Sequence, residues 1–315
     1  MLLQVSIAKS PAASGASPVN TASGASGVNE IPWGLDRIDQ HPLPLDGRFT
    51  PGGDGRGVHV YVIDSGVRRT HDEFADRPGK VVWVGDFVNG NPASTRADDC
   101  DPPPSQGHGT HVASIIAGRT FGVAPGARVH ALRILACGGT TRTDRAAAIR
   151  AVDWITAHGQ KPAVVNMSAA RWDTPDTALD EAIRRSIRAG FVYVLSAGGM
   201  GDIGAFTPQR VEEAITAAST TKDDKIVNSE YGPRLTLFAP GVGIQGAGSA
   251  SDTATFAGDG DSYAAALVSG VSALYLQRHP RATPDDVKRA IVASATRGAL
   301  GHTGQSPDLL AHIVP

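Results

Sequence analysis

Cysteine is scarce in this chain: Cys100 and Cys137 are the only two in 315 residues. That is too few for a disulfide scaffold and enough for one bridge. No run of 18 apolar residues occurs, so no stretch reads as a membrane-spanning helix. Neither charge sign is in excess. A net charge of -2 and a pI near 6.5 give no reason to expect a nucleic-acid or anionic-membrane partner. The opening Met1-Leu2-Leu3-Gln4-Val5-Ser6-Ile7-Ala8 lacks a basic segment and is short for a signal-peptide core. No HExxH pattern and no internal repeat is present. The chain is 41% apolar, and its length suits one large α/β domain.

Residues 9 to 29 are almost entirely Ala, Ser, Gly, Pro and Asn, too poor in apolar area to offset ordering. Residues 1–30 therefore read as a disordered leader or linker, followed by one domain over 31–315. Asp36, Asp39 and Gln40 then fall on one helical face, with oxygens suited to a hard cation or to a solvated first turn. The run Val58 to Ile63 reads as a buried strand ending in Asp64-Ser65-Gly66. Open α/β sheets place their chemistry at such strand ends; a turn cap is the other use of Asp64.

The stretch Gly107-His108-Gly109-Thr110-His111-Val112-Ala113 opens a buried helix. It holds an imidazole at the first turn, between glycines that suggest another backbone, such as a substrate's, comes close. His108 as a helix cap, or His108 with His111 as zinc ligands, are the other readings, the latter without a third ligand nearby. Further strands are expected over 128–135, 163–167, 191–196 and 235–238. Helices are expected over 143–158, 175–189, from 260 to an end at His279-Pro280, and near 284–295. Alternating strands and helices predict a mostly parallel central sheet covered on both faces, a three-layer α/β/α fold.

Asp64, His108 and Ser262 thus stand in that order at element ends. A serine hydroxyl becomes a nucleophile when a neighbouring base takes its proton and a carboxylate orients that base. The chain resembles the subtilisin-like serine peptidases (subtilases), in their proteinase K and aqualysin branch. The resemblance is carried by Pro32 to Gln40, Val62-Ile63-Asp64-Ser65-Gly66, the His108 motif, Val165-Asn166-Met167-Ser168, Phe238-Ala239-Pro240-Gly241 and Gly260-Asp261-Ser262, and spans about residues 31 to 312. It implies Asp64 as orienting acid, His108 as general base, Ser262 as nucleophile and His111 as a structural residue. It implies a peptide or protein substrate paired as a strand with Gly138, Gly139, Thr140 and with Ser168, Ala169, Ala170. It also implies a Cys100–Cys137 disulfide, structural calcium at Asp36, Asp39 and Gln40 and no cofactor for catalysis; a monomer is expected, and the compartment stays open, with secretion favoured by the family and the Cys pair but no clear signal peptide.

Several positions depart from the family pattern. Where the family carries an oxyanion-binding asparagine, this chain reads Ser196-Ala197-Gly198-Gly199-Met200, so the oxyanion region is left with Gly199 and the Ser262 amide. In the family's type enzyme, loss of that donor costs roughly 10²–10³-fold in turnover. Restoring it by Gly199→Asn is expected to raise the rate. Asp261 adds a carboxylate next to Ser262, which opposes an oxyanion if it points inward. Ala266 replaces a proline. Ala170 adds a methyl to the groove wall, and the small Ala169 widens a pocket there. Thr236 stands where proteinase K places an aspartate that ligates another calcium, so that site is not expected. The stretch over 1–30 is expected to be too short to be a folding prodomain of the family's usual length. The departures keep two alternatives open: a dedicated peptide-maturation or acyl-transfer enzyme, and a non-catalytic peptide-binding module.

Overall fold

The computed structural model describes residues 30–88, 98–99, 106–136, 144–169, 171–199, 201–227 and 231–315. The leader expected over 1–30, Glu30 excepted, lies outside these residues, as do Cys100, Cys137, Gly138, Gly139, Thr140 and Ala170. The body from Ile31 to Pro315 is one compact unit.

In chain order its helices and strands are α1 (Trp33–Ile38), β1 (His59–Asp64), β2 (Val81–Asp86), α2 (His108–Ala117), β3 (Arg128–Arg133), α3 (Arg145–His158), β4 (Ala163–Met167), α4 (Thr177–Arg188), β5 (Val192–Ser196), β6 (Ile215–Thr220), β7 (Leu237–Pro240), β8 (Ile244–Ala247), β9 (Thr255–Gly258), α5 (Asp261–Arg278), α6 (Pro284–Ser294), β10 (Thr296–Arg297) and β11 (Leu309–Leu310). One nine-stranded sheet runs β10-β11-β7-β6-β5-β4-β1-β3-β2. All its pairings are parallel except β10 with β11. β8 and β9 form a separate antiparallel hairpin.

Strand alternation explains the three layers. Val60 and Val62 of β1 point into a core with Val112, Ile115 and Ile116 of α2 and Ala264, Val268 and Val271 of α5. Tyr61 and Ile63 point the other way, into a core with Ala148, Val152 and Ile155 of α3 and Leu179 and Ile183 of α4. Helices thus cover both faces, as parallel strands require. The expected helix starts are sharpened by caps. Asp144 and Asp176 accept from the first-turn amides of α3 and α4, and Thr283 with Asp286 forms a reciprocal capping box on α6.

The sequence reading omitted β2, β6 and the β8–β9 hairpin. β6 is Ile-Thr-Ala-Ala-Ser-Thr: all six residues are buried, but only one has a large apolar side chain to announce it. β7 begins two residues later than expected. What matters for chemistry is that β1, β4 and β5 end side by side on one edge of the sheet, at Asp64, Met167 and Ser196.

Candidate active site

Asp64 ends β1 fully buried, and His108 is the first residue of α2. Nδ1 of His108 lies 2.7 Å from Asp64 Oδ1, which also accepts the Ser65 amide at 2.8 Å. One carboxylate oxygen therefore holds both the strand-end turn and the imidazole, leaving the ring's Nε2 as the nitrogen that can take up a proton. The glycines flanking His108 do admit another backbone, but it is the chain's own. A Cβ on Gly109 would stand 2.2 Å from the Gly66 carbonyl oxygen, and one on Gly107 would stand 2.4 Å from Ser249. A brace that the motif did not reveal comes from Asp99. It accepts from the Ser65 hydroxyl at 2.9 Å and from the Thr110 amide and hydroxyl at 2.8 and 2.6 Å.

His111 points away from this pair. It is fully buried, its two nitrogens lie 3.2 and 3.0 Å from the Ala247 and Ile244 carbonyls, and burial pushes its pKa down to about 4. It ties α2 to β8. It shares no site with His108, which removes the zinc reading of the two.

Ser262 is the second residue of α5, half-buried, and its hydroxyl donates to the Ser168 carbonyl at 3.3 Å. The Ser196 hydroxyl donates to the same carbonyl at 3.2 Å. Ser168 Oγ in turn donates to the Ser262 carbonyl at 3.3 Å and accepts from Asn166 Nδ2 at 2.9 Å, while Ser269 Oγ donates to Asn166 Oδ1 at 2.9 Å. This chain of bonds locks the start of α5 onto the ends of β4 and β5. On its other side α5 meets α2: the Tyr263 ring lies 5.9 Å from the His108 ring and 4.5 Å from the His111 ring, centroid to centroid. The first turns of α2 and α5 thus stand together beside the end of β1, with His108 on one and Ser262 on the other.

The carboxylate of Asp261 does not point into this space. It is buried and accepts from the Ser219 amide (2.8 Å), the Gly199 amide (2.8 Å) and the Tyr231 hydroxyl (3.2 Å). Burial raises its pKa, against the pull of those donors. Its role is to pin the Gly198-Gly199 turn to α5, which also means that the Gly199 amide already has an acceptor. Gly199 itself sits at φ +102°, beyond the left-handed range that asparagine tolerates. A side chain there is strained whatever the room, which sets a cost against the expected benefit of Gly199→Asn. That variant is now expected to lose about 1–3 kcal/mol of stability with no gain in kcat. Thermal unfolding beside initial rates on one peptide checks it; a faster enzyme of unchanged Tm would show the argument wrong.

The calcium expectation meets a different arrangement. Asp36 accepts the Gly47 amide at 2.8 Å, Asp39 the Thr50 amide at 2.6 Å, and Gln40 Oε1 the Asp46 amide at 3.0 Å. Backbone N–H groups donate to the side-chain oxygens that fold the 40–50 loop onto α1. Among the described residues no three acidic, imidazole or thiol groups converge as a metal cage.

A residue the sequence reading missed meets the same Gly198-Gly199 turn. Arg171, half-buried, leaves the segment that follows β4 and crosses to the turn that follows β5. There Nη1 donates to the Gly198 carbonyl, and the guanidinium carbon lies 3.5 Å from the centroid of the Phe206 ring. Its position in a Ser-Ala-Ala-Arg run at the end of a strand was the available signal.

Residues 55–308 match the subtilase family (peptidase S8) model. The chain is 44% identical over 283 residues to the extracellular serine proteinase of Thermus sp. strain Rt41A, covering 89% of this chain and 65% of that protein. It is 37% identical over 282 residues to alkaline serine exoprotease A of Vibrio alginolyticus, covering 89% of this chain and 50% of that protein. The chain thus spans about half to two thirds of the length of these relatives. A crystal structure of a cold-adapted subtilisin-like serine proteinase superposes with a TM-score of 0.80 at 35% identity, covering 91% of this chain and 99% of that one. The family match over residues 55–308 and the fold agree: this chain belongs to the subtilase family.

Proposed function

We propose that the chain is a serine endopeptidase in which Asp64, His108 and Ser262 act as a triad. The observation that carries this reading is the 2.7 Å contact between a fully buried Asp64 and His108 Nδ1, with Ser262 on the adjoining helix start. The contact fixes the imidazole tautomer, so that Nε2 accepts the Ser262 proton while Oγ bonds to the substrate carbonyl carbon. The same proton then passes to the leaving amine as the carbon–nitrogen bond breaks, and water releases the acyl group by the reverse sequence. The negative charge formed on the carbonyl oxygen faces the Ser262 amide at the positive end of α5, an 18-residue helix. Because Gly199 adds no side-chain donor and its amide serves Asp261, this oxyanion site is weaker than the family's pattern.

That weakness favours a second reading, a peptidase kept for one maturation substrate or for acyl transfer, where slow attack is tolerable. A non-catalytic binding module is the remaining reading. The names of the relatives support secretion, and no helix among the described residues is long and apolar enough to cross a membrane. A monomer and a Cys100–Cys137 bridge belong to the same proposal and rest on the resemblance. A fluorophosphonate probe tests the central claim: wild type should label at Ser262, and Ser262→Ala should not. Absence of labelling in a folded wild-type protein removes the peptidase readings and leaves the binding module.

A further inference from the structure

At the end of the sheet away from Ser262, the turns that lead into β1, β3 and β2 enclose a cavity of about 240 Å³. Its charged lining is of one sign: Arg56, Arg77, Lys80 and Arg128, with the His59 imidazole beside them. No carboxylate is among the described residues that line it. The carboxylates that reach these cations come from outside the lining. Asp54 pairs with Arg56 at 3.2 Å, and Asp76 pairs with Lys80 at 2.8 Å and lies 3.9 Å from Arg77 Nε. Arg128 is exposed, and its guanidinium meets no carboxylate among the described residues. Two carboxylates against four permanent cations leave the cavity positive. Its donors are also held in place. The Lys80 side chain is fully buried and donates to the Glu73 carbonyl at 3.4 Å as well as to Asp76. The Arg77 guanidinium donates to the Gly126, Pro125 and Ala127 carbonyls at 2.9, 2.8 and 3.4 Å, neutral groups that fix its plane and leave its charge. Gly57 and Gly79, at φ +85° and +74°, line the same space, and a Cβ on either would meet nothing within 4 Å. Burial and the Arg128 charge both push the His59 pKa below 6.5, as expected beside an excess of cations.

We propose that this cavity binds a tetrahedral oxyanion, a phosphate or sulfate ion or a phosphoryl group carried on another molecule, and that the anion ties the three turns together. Size favours a compact ligand. The cavity is smaller than the roughly 300–1,000 Å³ of sites for organic ligands, yet leaves room for such an ion and some of its water. Donor arrangement favours the tetrahedral class. A planar carboxylate is matched by one arginine fork, whereas here the cations come from three separate turns, at residues 56, 77–80 and 128. Like charges gathered in one place repel, and an anion among them turns that repulsion into attraction. The site is remote from the chemistry. Five steps along β1, at about 3.3 Å each, separate His59 from Asp64 by roughly 16 Å. A bound anion therefore acts on the fold, as a ligand that raises the stability of the folded state alone. The inference does not depend on the peptidase reading of Ser262.

Calorimetric titration with inorganic phosphate tests this, on the full chain in a Ser262→Ala background to prevent self-digestion. Chloride holds the ionic strength constant, so that general screening does not change during the titration. One saturable site is expected, and Tm should climb with phosphate as binding to the folded state requires. Adding Arg128→Gln should weaken binding by at least about tenfold. It should leave the Tm without phosphate no lower, since it removes a repelling charge and no ion pair. Arg188→Gln, the same change of charge on the exposed side of α4, should bind phosphate as the parent does. No saturable binding overturns the proposal. So does binding that Arg128→Gln leaves unchanged, or that both variants weaken alike. O-phosphoserine and acetate then separate the ligand classes. Phosphoserine that binds as well as phosphate assigns the site to a phosphoryl group on another molecule, and phosphate alone assigns it to the free ion. Acetate that binds as well as either overturns the tetrahedral class.

Discussion

Asp64→Asn is expected to lower kcat at neutral pH by about 10³–10⁴-fold while leaving the fold intact. Two amide orientations are open to the new side chain. In one, the amide oxygen stays at the Oδ1 position, where it keeps both the Ser65 amide and the His108 N–H. The tautomer survives, but the negative charge that stabilises the imidazolium is gone, and an NH₂ group replaces Oδ2, a buried atom with no hydrogen-bond partner among the described residues. In the flipped orientation the NH₂ faces both the Ser65 N–H and His108 Nδ1, two donors against one, unless the ring adopts the tautomer that protonates Nε2. That tautomer cannot accept the serine proton. The base is weakened in the first orientation and disabled in the second while the volume is unchanged, so Tm should fall far less than the rate. The check pairs pre-steady-state rates with thermal unfolding. A variant within tenfold of wild type would mean that Asp64 only caps the turn, the bland alternative for this residue.

The physical reason that this site was legible in the sequence is local. Each triad candidate sits at an element end announced within its own few residues: an apolar strand run before Asp64, glycines around His108, a small-residue helix after Ser262. Side chains whose partners are far along the chain were not legible. Asp261 reads from sequence as a threat to an oxyanion, yet its partners are Gly199, Ser219 and Tyr231, 62, 42 and 30 residues away. Gly199 reads as a missing donor, and only its φ of +102° shows why adding one back is not simple. The loop contacts of Asp36, Asp39 and Gln40 were not legible either, because the amides of residues 46, 47 and 50 that donate to their oxygens carry no side-chain signature. Arg171 was passed over since nothing in its neighbours predicts Phe206 beneath it.

Acid is expected to unfold the protein well before its carboxylates as a class protonate, through two buried histidines. Burial pushes the pKa of His111 down to about 4 and that of His130 down to about 3, from an ordinary 6.5. His130 sits at the opposite end of the sheet from Ser262. Its Nε2 is 2.9 Å from His59 Nδ1, its ring stacks on Tyr61 at 4.6 Å, and the charges of His59 and Arg128 add to the burial effect. His111 faces two carbonyls that favour its proton, but burial and His108 outweigh them. The sign follows from which state binds the proton first. With folded pKa values below 6.5, the unfolded chain protonates while the folded one does not. Stability is therefore full above about pH 6.5 and is lost as pH falls toward 4 and 3. Each histidine accounts for about 3 kcal/mol between pH 7 and pH 4 by linkage, a large share of a typical folding free energy. Asp39 and Asp261, whose pKa values burial raises, act in the opposite direction as pH falls and offset part of the loss. Substitution removes that ambiguity, because the carboxylates are common to both proteins. In a Ser262→Ala background, to prevent self-digestion, urea unfolding at pH 7, 5 and 4 should show a steep decline that His130→Phe, which retains a ring against Tyr61, makes shallower by about 3 kcal/mol at pH 4. Parallel slopes for the two proteins would show that His130 titrates normally, and that its burial costs the imidazolium nothing.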